Sequence, residues 1–500
     1  MAREAWRSEV GFLLAAVGSA IGLGNVWRFS YVAYEHGGGA FLIPYLIALF
    51  TAGIPVLILE YAIGHERIGS TPLAFAKISK RFEWIGWWPV CFVMFGILLY
   101  YNVIIAWCLG YFFFSFDLAW GSDPDRFFFQ SFLKLSSGPG EIGEVRTPVL
   151  LGSLVTWFLC WLIVGRGIQR GIELANKLLM PLLFLIVLVL VGWSLQLEGA
   201  SLGLKAYLKP DFSELSDPKV WIDAYSQVFF SLSLSFGIMI TYASYLPERA
   251  DITKMAVMTA LADSGFAIFA GFAVFAVLGF MAVSLGKPLP EVVSESIGLA
   301  FVAYPKALSL MPFGNLFGAL FFFGLVVAGL SSSVSIVEAF VAAMRDKFDY
   351  SRRFLTNLAC AVGLLGSLPF TTQAGLHWLD IVDHFLSHYG LVPVGILECI
   401  AIGWCFSIKM LADHINRISS IGVGPVWIFL IRYFVPLILL VILLGDLYRD
   451  LKAPYGGYSW TAIILIGRDW LLTTLILAFW LASRRWRTDH HRRPGRTVIA

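Results

Sequence analysis

Charge is scarce in this sequence: Asp, Glu, Lys and Arg make up 14% of its 500 residues, against roughly 25% in soluble globular proteins. Apolar residues fill 58% of it, so water is not the solvent of most of the chain. Paired cysteines are missing too. The six present, Cys91, Cys108, Cys160, Cys360, Cys399 and Cys405, fall in or near apolar stretches with no CxxC, so neither a disulfide framework nor a metal site is implied. There is no HExxH, no nucleophile elbow and no phosphate-binding glycine loop, and the eight histidines lie mostly near loops or in the tail, as His490 and His491 do. An enzyme is not expected. No Pro/Ser-rich linker or soluble-domain composition interrupts the chain, which predicts one membrane domain over 1–485 and a basic tail over 486–500.

Apolar stretches of about 20 residues, the length that crosses a hydrocarbon core, recur from end to end. They lie near 10–30, 40–64, 86–116, 148–165, 172–195, 221–245, 256–285, 313–343, 354–370, 382–408, 422–446 and 457–483. About twelve transmembrane helices and an all-α membrane fold are expected. Lys and Arg accumulate in cytoplasmic loops. Here they mark the start (Arg3, Arg7) and the even-numbered gaps (Arg67, Lys77, Lys80, Arg81; Arg166, Arg170; Arg249, Lys254; Arg345, Lys347, Arg352, Arg353; Lys409, Arg417). The longest polar gaps, near 119–147, 197–219 and 287–312, fall outside. Both termini are therefore expected in the cytoplasm of a multi-pass protein of the cell (plasma) membrane. The first stretch lacks a small-residue cleavage site and reads as a retained helix rather than a signal peptide. The net charge of +3 and the arginines of the tail fit anionic lipid headgroups, not nucleic acid.

Two stretches are interrupted by small and polar residues: GSAIGLGN at 18–25 in the first, and Ser231-Leu232-Ser233-Leu234-Ser235-Phe236-Gly237 in the sixth. Glycine lowers helix propensity and bares backbone groups, which in lipid must be satisfied internally or by a ligand. Taken alone, each stretch reads sooner as close helix packing. Two at corresponding positions, five spans apart, favour broken helices in an inverted repeat, the arrangement that sets a transporter's binding site at mid-membrane. The repeats are placed at about 8–198 and 220–410, with helices 11–12 over 422–483.

With GSAIGLGNVWRF at 18–29, GGGAFLIPY at 37–45, YY at 100–101, QVFFSLSLSFG at 227–237, TYASY at 241–245 and AGLSSS at 328–333, the chain resembles the neurotransmitter:sodium symporter family. The likeness runs from Arg3 to about Arg485 and is nearest to the family's prokaryotic amino acid carriers. It implies a sodium-coupled symporter that imports a neutral, hydrophobic L-amino acid by alternating access. It implies two sodium ions and no organic cofactor. Partners would be the amino acid, the sodium ions and the lipid bilayer, with a homodimer allowed. A substrate-binding sensor, or a carrier of another solute on the same fold, is the alternative.

The resemblance implies a first sodium site from Ala20, Asn25, Ser231 and Asp263, with the substrate carboxylate as a further ligand. It implies a second from Gly18, Ile21, Ala328, Ser331 and Ser332. Carbonyl, amide and hydroxyl oxygens suit a hard cation. Around the substrate it sets Ala20, Gly22, Gly24, Ile97, Tyr101, Phe230, Ser231, Ser233, Phe236, Ser332 and Ile336. The amides near Gly22 and Gly24 open a half-helix whose positive end suits a carboxylate. Monoamine carriers of the family place an aspartate where this chain has Gly22, so an acid-bearing substrate is favoured.

Ionisable residues inside a membrane span are functional candidates, and Glu60, Asp263, Glu338 and Glu398 stand out. By resemblance Asp263 occupies the position where chloride-dependent members carry a neutral amide beside their anion. Tyr45, Gln227 and Ser231 keep part of the chloride pattern and Ala267 lacks its hydroxyl, so no chloride is expected. Protonation of Asp263 after sodium release would relieve a buried charge, which motivates proton antiport; a structurally paired acid without a coupling role is the other reading. Glu60 by likeness braces the broken sixth helix, and Glu338 and Glu398 read as structural acids. The resemblance sets an outer gate at Arg28 and Asp383, the latter beginning the tenth span. It sets an inner gate at Arg3, Trp6, Tyr245 and Asp346, and a stretch that unwinds from Gly171 to Pro181.

Overall fold

The computed structural model describes residues 4–292, 296–492 and 495–496. Among them the chain is helical, with two isolated bridges and no β-strand. Helix is what the composition demands, because without water each backbone amide must find its partner within its own segment. Among the described residues ten helices are long and apolar enough to cross a membrane: Gly39–Arg67, Lys80–Phe114, Thr147–Gly165, Ile168–Ser194, Ile252–Leu285, Gly314–Phe348, Arg352–Thr371, Gly375–Cys405, Pro425–Gly457 and Trp460–Ser483. These are the second to fifth and seventh to twelfth spans. The first is a pair, Glu9–Ala20 and Leu23–Glu35, bent by 70°. The sixth is also a pair, Pro218–Ser231 and Ile238–Ala243.

Several spans outrun their apolar stretches. The third begins at Lys80 rather than near 86, and the tenth at Gly375 rather than near 382. Polar residues continue both helices because the fold supplies partners. Glu83 receives the indole N–H groups of Trp87 and Trp486 at 3.1 and 3.0 Å, and Asp380 receives the hydroxyls of Tyr455 and Tyr458, each at 2.9 Å. Asp383 therefore lies about two turns inside the tenth span instead of beginning it.

The breaks have different causes. In the first span Ile21 N still bonds to Val17 O at 2.7 Å, after which Ile21 and Gly22 run extended. In the sixth, Ser233 (φ 52°), Ser235 (φ 64°) and Gly237 (φ 74°) all turn left-handed, which costs a non-glycine residue about 1–2 kcal/mol. Helix cannot continue through them. Burial then sorts the spans: the apolar windows of the third and eighth are 89% and 83% buried, those of the eleventh and twelfth 22% and 28%. The eighth packs against both broken helices, the third faces them across a cavity, and the last two spans are the most exposed.

Candidate functional site

A cavity lies between the two breaks and the third and eighth spans. Every residue expected around the substrate lines it: Ala20, Gly22 and Gly24 from the first break, Phe230, Ser231, Ser233 and Phe236 from the sixth, Ile97 and Tyr101 from the third, and Ser332 and Ile336 from the eighth. Ser19, Leu23 and Ile238 join them; the sequence offered no signal for these beyond their place beside the breaks. A Cβ at Gly22 would meet the Tyr101 hydroxyl at 2.9 Å and Ser332 Oγ at 3.5 Å. The missing side chain keeps open a space faced by two hydroxyls. The amides beside it are engaged: Gly22 N donates to Asn25 Oδ1 at 2.9 Å and Leu23 N to Tyr101 Oη at 3.2 Å. The rest of the wall is aromatic and aliphatic, with Phe230 and Phe236 edge to face at 6.2 Å. Another crevice, between the fifth, seventh and eighth spans, is lined almost wholly by apolar side chains such as Leu183, Val274 and Phe321 and offers no chemistry of this kind.

At one end of the cavity Asp263 is fully buried. Its Oδ1 accepts from Asn25 Nδ2 at 2.7 Å and its Oδ2 from Ser231 Oγ at 2.6 Å, while Asn25 Nδ2 also reaches Ser231 Oγ at 3.0 Å. Asn25 Oδ1 accepts from Gly22 N at 2.9 Å. Three of the four residues expected at the first sodium site are therefore in direct contact. Ala20, the fourth, lines the same cavity. Tyr45 donates to Ser264 Oγ at 3.0 Å, next to Asp263 in the chain.

The residues expected at the second sodium site also converge. Ser331 Oγ is 2.6 Å from Gly18 O and 2.8 Å from Ala328 O. Ser332 Oγ stands 3.4 Å from Gly18 O, 3.5 Å from Ile21 O and 3.5 Å from Ala328 O. Two oxygens at right angles, each about 2.4 Å from one hard cation, lie about 3.4 Å apart. That is the spacing around Ser332. The three carbonyls and two hydroxyls are the oxygen type that suits a hard cation, with the Ser331 hydroxyl here hydrogen-bonded to Gly18 O and Ala328 O.

The outer pair is separated. The Arg28 guanidinium lies over the Phe230 ring at 4.7 Å, while Asp383 accepts from Tyr100 Oη at 2.5 Å and from Ser387 Oγ at 3.2 Å. On the inner side Trp6 is buried, its indole donating to Tyr242 O at 2.9 Å and its amide to Tyr245 O at 3.1 Å. Asp346 accepts from Ser70 N at 2.8 Å. Arg3 lies outside the described residues.

The strongest inner contact was not foreseen from the sequence. Arg352 donates to Glu338 at 2.5 and 2.9 Å and to Glu4 at 3.0 Å through two nitrogens, and Arg345 joins Glu4 at 2.7 Å. Tyr245 Oη completes the cluster on Glu338 at 2.9 Å. Burial pushes the Glu4 carboxyl up, but Arg352, the Ile168 amide and Arg345 together hold it below the usual range. Glu338, read from sequence only as a structural acid, thus ties the eighth span to the ninth and to the N-terminal segment.

Part of the basic tail is tied to the protein's own backbone carbonyls. Arg487 N donates to Lys347 O at 2.9 Å, Thr488 Oγ1 to Asp346 O at 2.6 Å, and Arg496 to Leu246 O at 2.8 Å. Free carbonyls at helix ends are what draw these donors. Lys347 is itself fully buried, bonded to Glu83 and to Leu481 O.

A profile of the sodium:neurotransmitter symporter family matches residues 3–123 and 121–486. An uncharacterized sodium-dependent transporter of Methanocaldococcus jannaschii is 50% identical, over 93% of this chain and 94% of its own. The sodium- and chloride-dependent GABA transporter 2 of Rattus norvegicus is 32% identical, over 94% of this chain and 84% of its own. The sodium- and chloride-dependent taurine transporter of Bos taurus is also 32% identical, over 94% and 82%. The relatives are transporters and not enzymes. With its multi-pass helical fold, its two broken spans and this match along nearly all of its length, the chain belongs to the sodium:neurotransmitter symporter family.

Proposed function

We propose that the protein imports a neutral, hydrophobic L-amino acid together with sodium, by alternating access and without chloride. The observation that carries this reading is Asp263. A carboxylate bonded to both Asn25 and Ser231, two residues that line the cavity, supplies beside the first sodium site the negative charge that a chloride ion would otherwise bring. Ala267 offers no hydroxyl for an anion there. Two relatives are named for GABA and for taurine, each an amine that also carries an acid group. A substrate acid at the Gly22 and Tyr101 end, and an amine among the carbonyls of Ala20, Phe230 and Ser231 with the Ser332 hydroxyl, agree with that chemistry. Ile97, Phe230, Phe236 and Ile336 leave the side chain an apolar wall.

Two sodium ions entering down an inside-negative potential of 100 mV contribute about 4.6 kcal/mol, or about three decades of accumulation. Protonation of Asp263 after sodium leaves would neutralise the carboxylate and return a proton outward, at the expense of part of that gain. The proposed outer gate is Arg28 and Asp383, which close over the cavity once substrate is bound, and the inner gate is built on Trp6, Tyr245 and Asp346.

The deciding experiment is uptake of a panel of amino acids into proteoliposomes under an imposed sodium gradient, with chloride present or replaced by gluconate. Concentrative uptake of a neutral apolar amino acid, unchanged by gluconate, is expected. Loss of uptake without chloride sinks the chloride reading. Binding without accumulation for every amino acid points to a sensor.

A further inference from the structure

Behind the sixth-span break, on the side away from the cavity, three polar side chains meet in a fully buried place. Glu60 comes from the second span, Ser235 from the break and Glu398 from the tenth span, and none of the three has measurable exposure. Glu60 Oε1 accepts from Ser235 N at 2.7 Å. Glu60 Oε2, both carboxyl oxygens of Glu398 and the Ser235 hydroxyl have no hydrogen-bond partner. The hydroxyl is aimed at the tenth span, since a Cβ at Gly395 would come within 3.0 Å of it. Gly395 and Glu398 are three residues apart and so share one helix face.

The surroundings offer these acids no positive charge. Leu439 of the eleventh span and Phe229 of the sixth close around Gly395. The titratable groups that face the pair are Cys399 on the tenth span and Tyr61 on the second, and the Tyr61 hydroxyl is engaged with Thr259 at 3.1 Å. Among the described residues no Lys, Arg or His acts on either acid. Two carboxylates in one dry site without a cation cannot both stay ionised. Glu60 has reason to be the ionised member, because the Ser235 amide donates to it and a carboxylate is the better acceptor. Glu398 then carries the proton, which removes one of the two buried charges.

We propose that Glu60, Glu398 and Ser235 form a proton-binding site, distinct from Asp263, that holds one proton behind the break of the sixth span. Its occupancy bears on transport through geometry. Ser235 is held at φ 64° and bonded to Glu60, while its neighbours Ser233 and Phe236 line the cavity. Loss of the proton sets two negative charges against each other across the break and loosens the grip that keeps Phe236 in place. The site does not depend on the sodium-coupled reading above, nor on Asp263 changing its protonation.

Infrared difference spectroscopy on the purified full chain tests this directly, through the carbonyl stretch of a protonated carboxyl. Asp263→Asn is the background, so that Asp263 cannot contribute. The expected result is a protonated-carboxyl band at neutral pH that disappears when Glu398→Gln is added. An unchanged band after Glu398→Gln overturns the proposal. If that protein does not fold, Glu60→Gln is measured instead: its amide oxygen still accepts from Ser235 N, and without the Glu60 charge the band is lost at lower pH than in the Asp263→Asn background. A band whose titration stays at the same pH in Glu60→Gln also overturns the proposal. In proteoliposomes the alkaline limb of the uptake profile, each protein normalised to its own maximum, is expected to shift in Glu398→Gln relative to the parent. The infrared result stands even if no amino acid is transported, so the two readings fail separately.

Discussion

Arg352 Nη1 lies 2.5 Å from Glu338 Oε2, and the same guanidinium reaches Glu4 at 3.0 Å. Removing the arginine leaves two acids facing each other at the inner end of the fold. Arg352→Ala is expected to cost about 3–5 kcal/mol, the usual consequence of breaking a buried ion pair from one side. Arg352→Lys recovers little of it, because a point charge cannot serve two carboxylates as a fork does. Thermal unfolding in detergent measures the loss, and a melting point for Arg352→Ala equal to the parent's refutes it.

Ser331 tests the second sodium site. Its hydroxyl sits between the carbonyls of Gly18 and Ala328, so Ser331→Ala withdraws one oxygen without disturbing the backbone ligands. The expected outcome is a sodium concentration for half-maximal uptake raised about tenfold, equivalent to about 1.4 kcal/mol. Ser332→Ala should impair sodium and amino acid binding together, since Ser332 belongs to both groups of residues. Equal sodium affinity in Ser331→Ala and the parent would remove Ser331 from the site.

Gly22 tests the carboxylate end. A methyl group at this position meets the Tyr101 hydroxyl at 2.9 Å, within the space assigned to the substrate's acid group. Gly22→Ala is expected to raise the KM for an amino acid at least about tenfold while the melting temperature stays near that of the parent. Unaltered KM would move the carboxylate elsewhere.

A pH dependence is expected from His414, on the helix Ile408–Ile418 outside the spans. Burial, helped by Arg417, Arg496 and Arg67, holds this imidazole down from its ordinary 6.5 to about 4. Between those values the unfolded chain binds a proton at His414 and the folded protein does not, so stability falls as pH drops from 6.5 towards 4. Melting curves across this window should flatten in His414→Phe. A His414→Phe curve as steep as the parent's would assign the acid lability to other groups.

What the sequence disclosed depended on whether a feature was local. The breaks were legible at GSAIGLGN and at Ser231 to Gly237 because glycine and serine act on the backbone where they stand. The cavity residues were legible because they cluster beside those breaks and match family motifs. The start of the tenth span was not, since Asp380 looks like a helix-ending polar residue until Tyr455 and Tyr458, at the distant end of the eleventh span, are seen to satisfy it. Glu338 and Arg352 are separated by a turn in the chain and meet only through side chains, so no periodicity announces them. Arg28 and Asp383 show the reverse. The family pattern pairs them, but here one lies on Phe230 and the other on Tyr100.

The seating of the tail has a practical meaning for anyone who labels this protein. The Arg487 amide and the Thr488 hydroxyl tie the chain to the last residues of the eighth span, and Arg496 ties it again beside Leu246. A fluorophore, affinity tag or fusion partner joined just beyond residue 488 is thereby harnessed to the end of the fold where the sixth and eighth spans finish: its signal follows the movements of that end, and its bulk resists them.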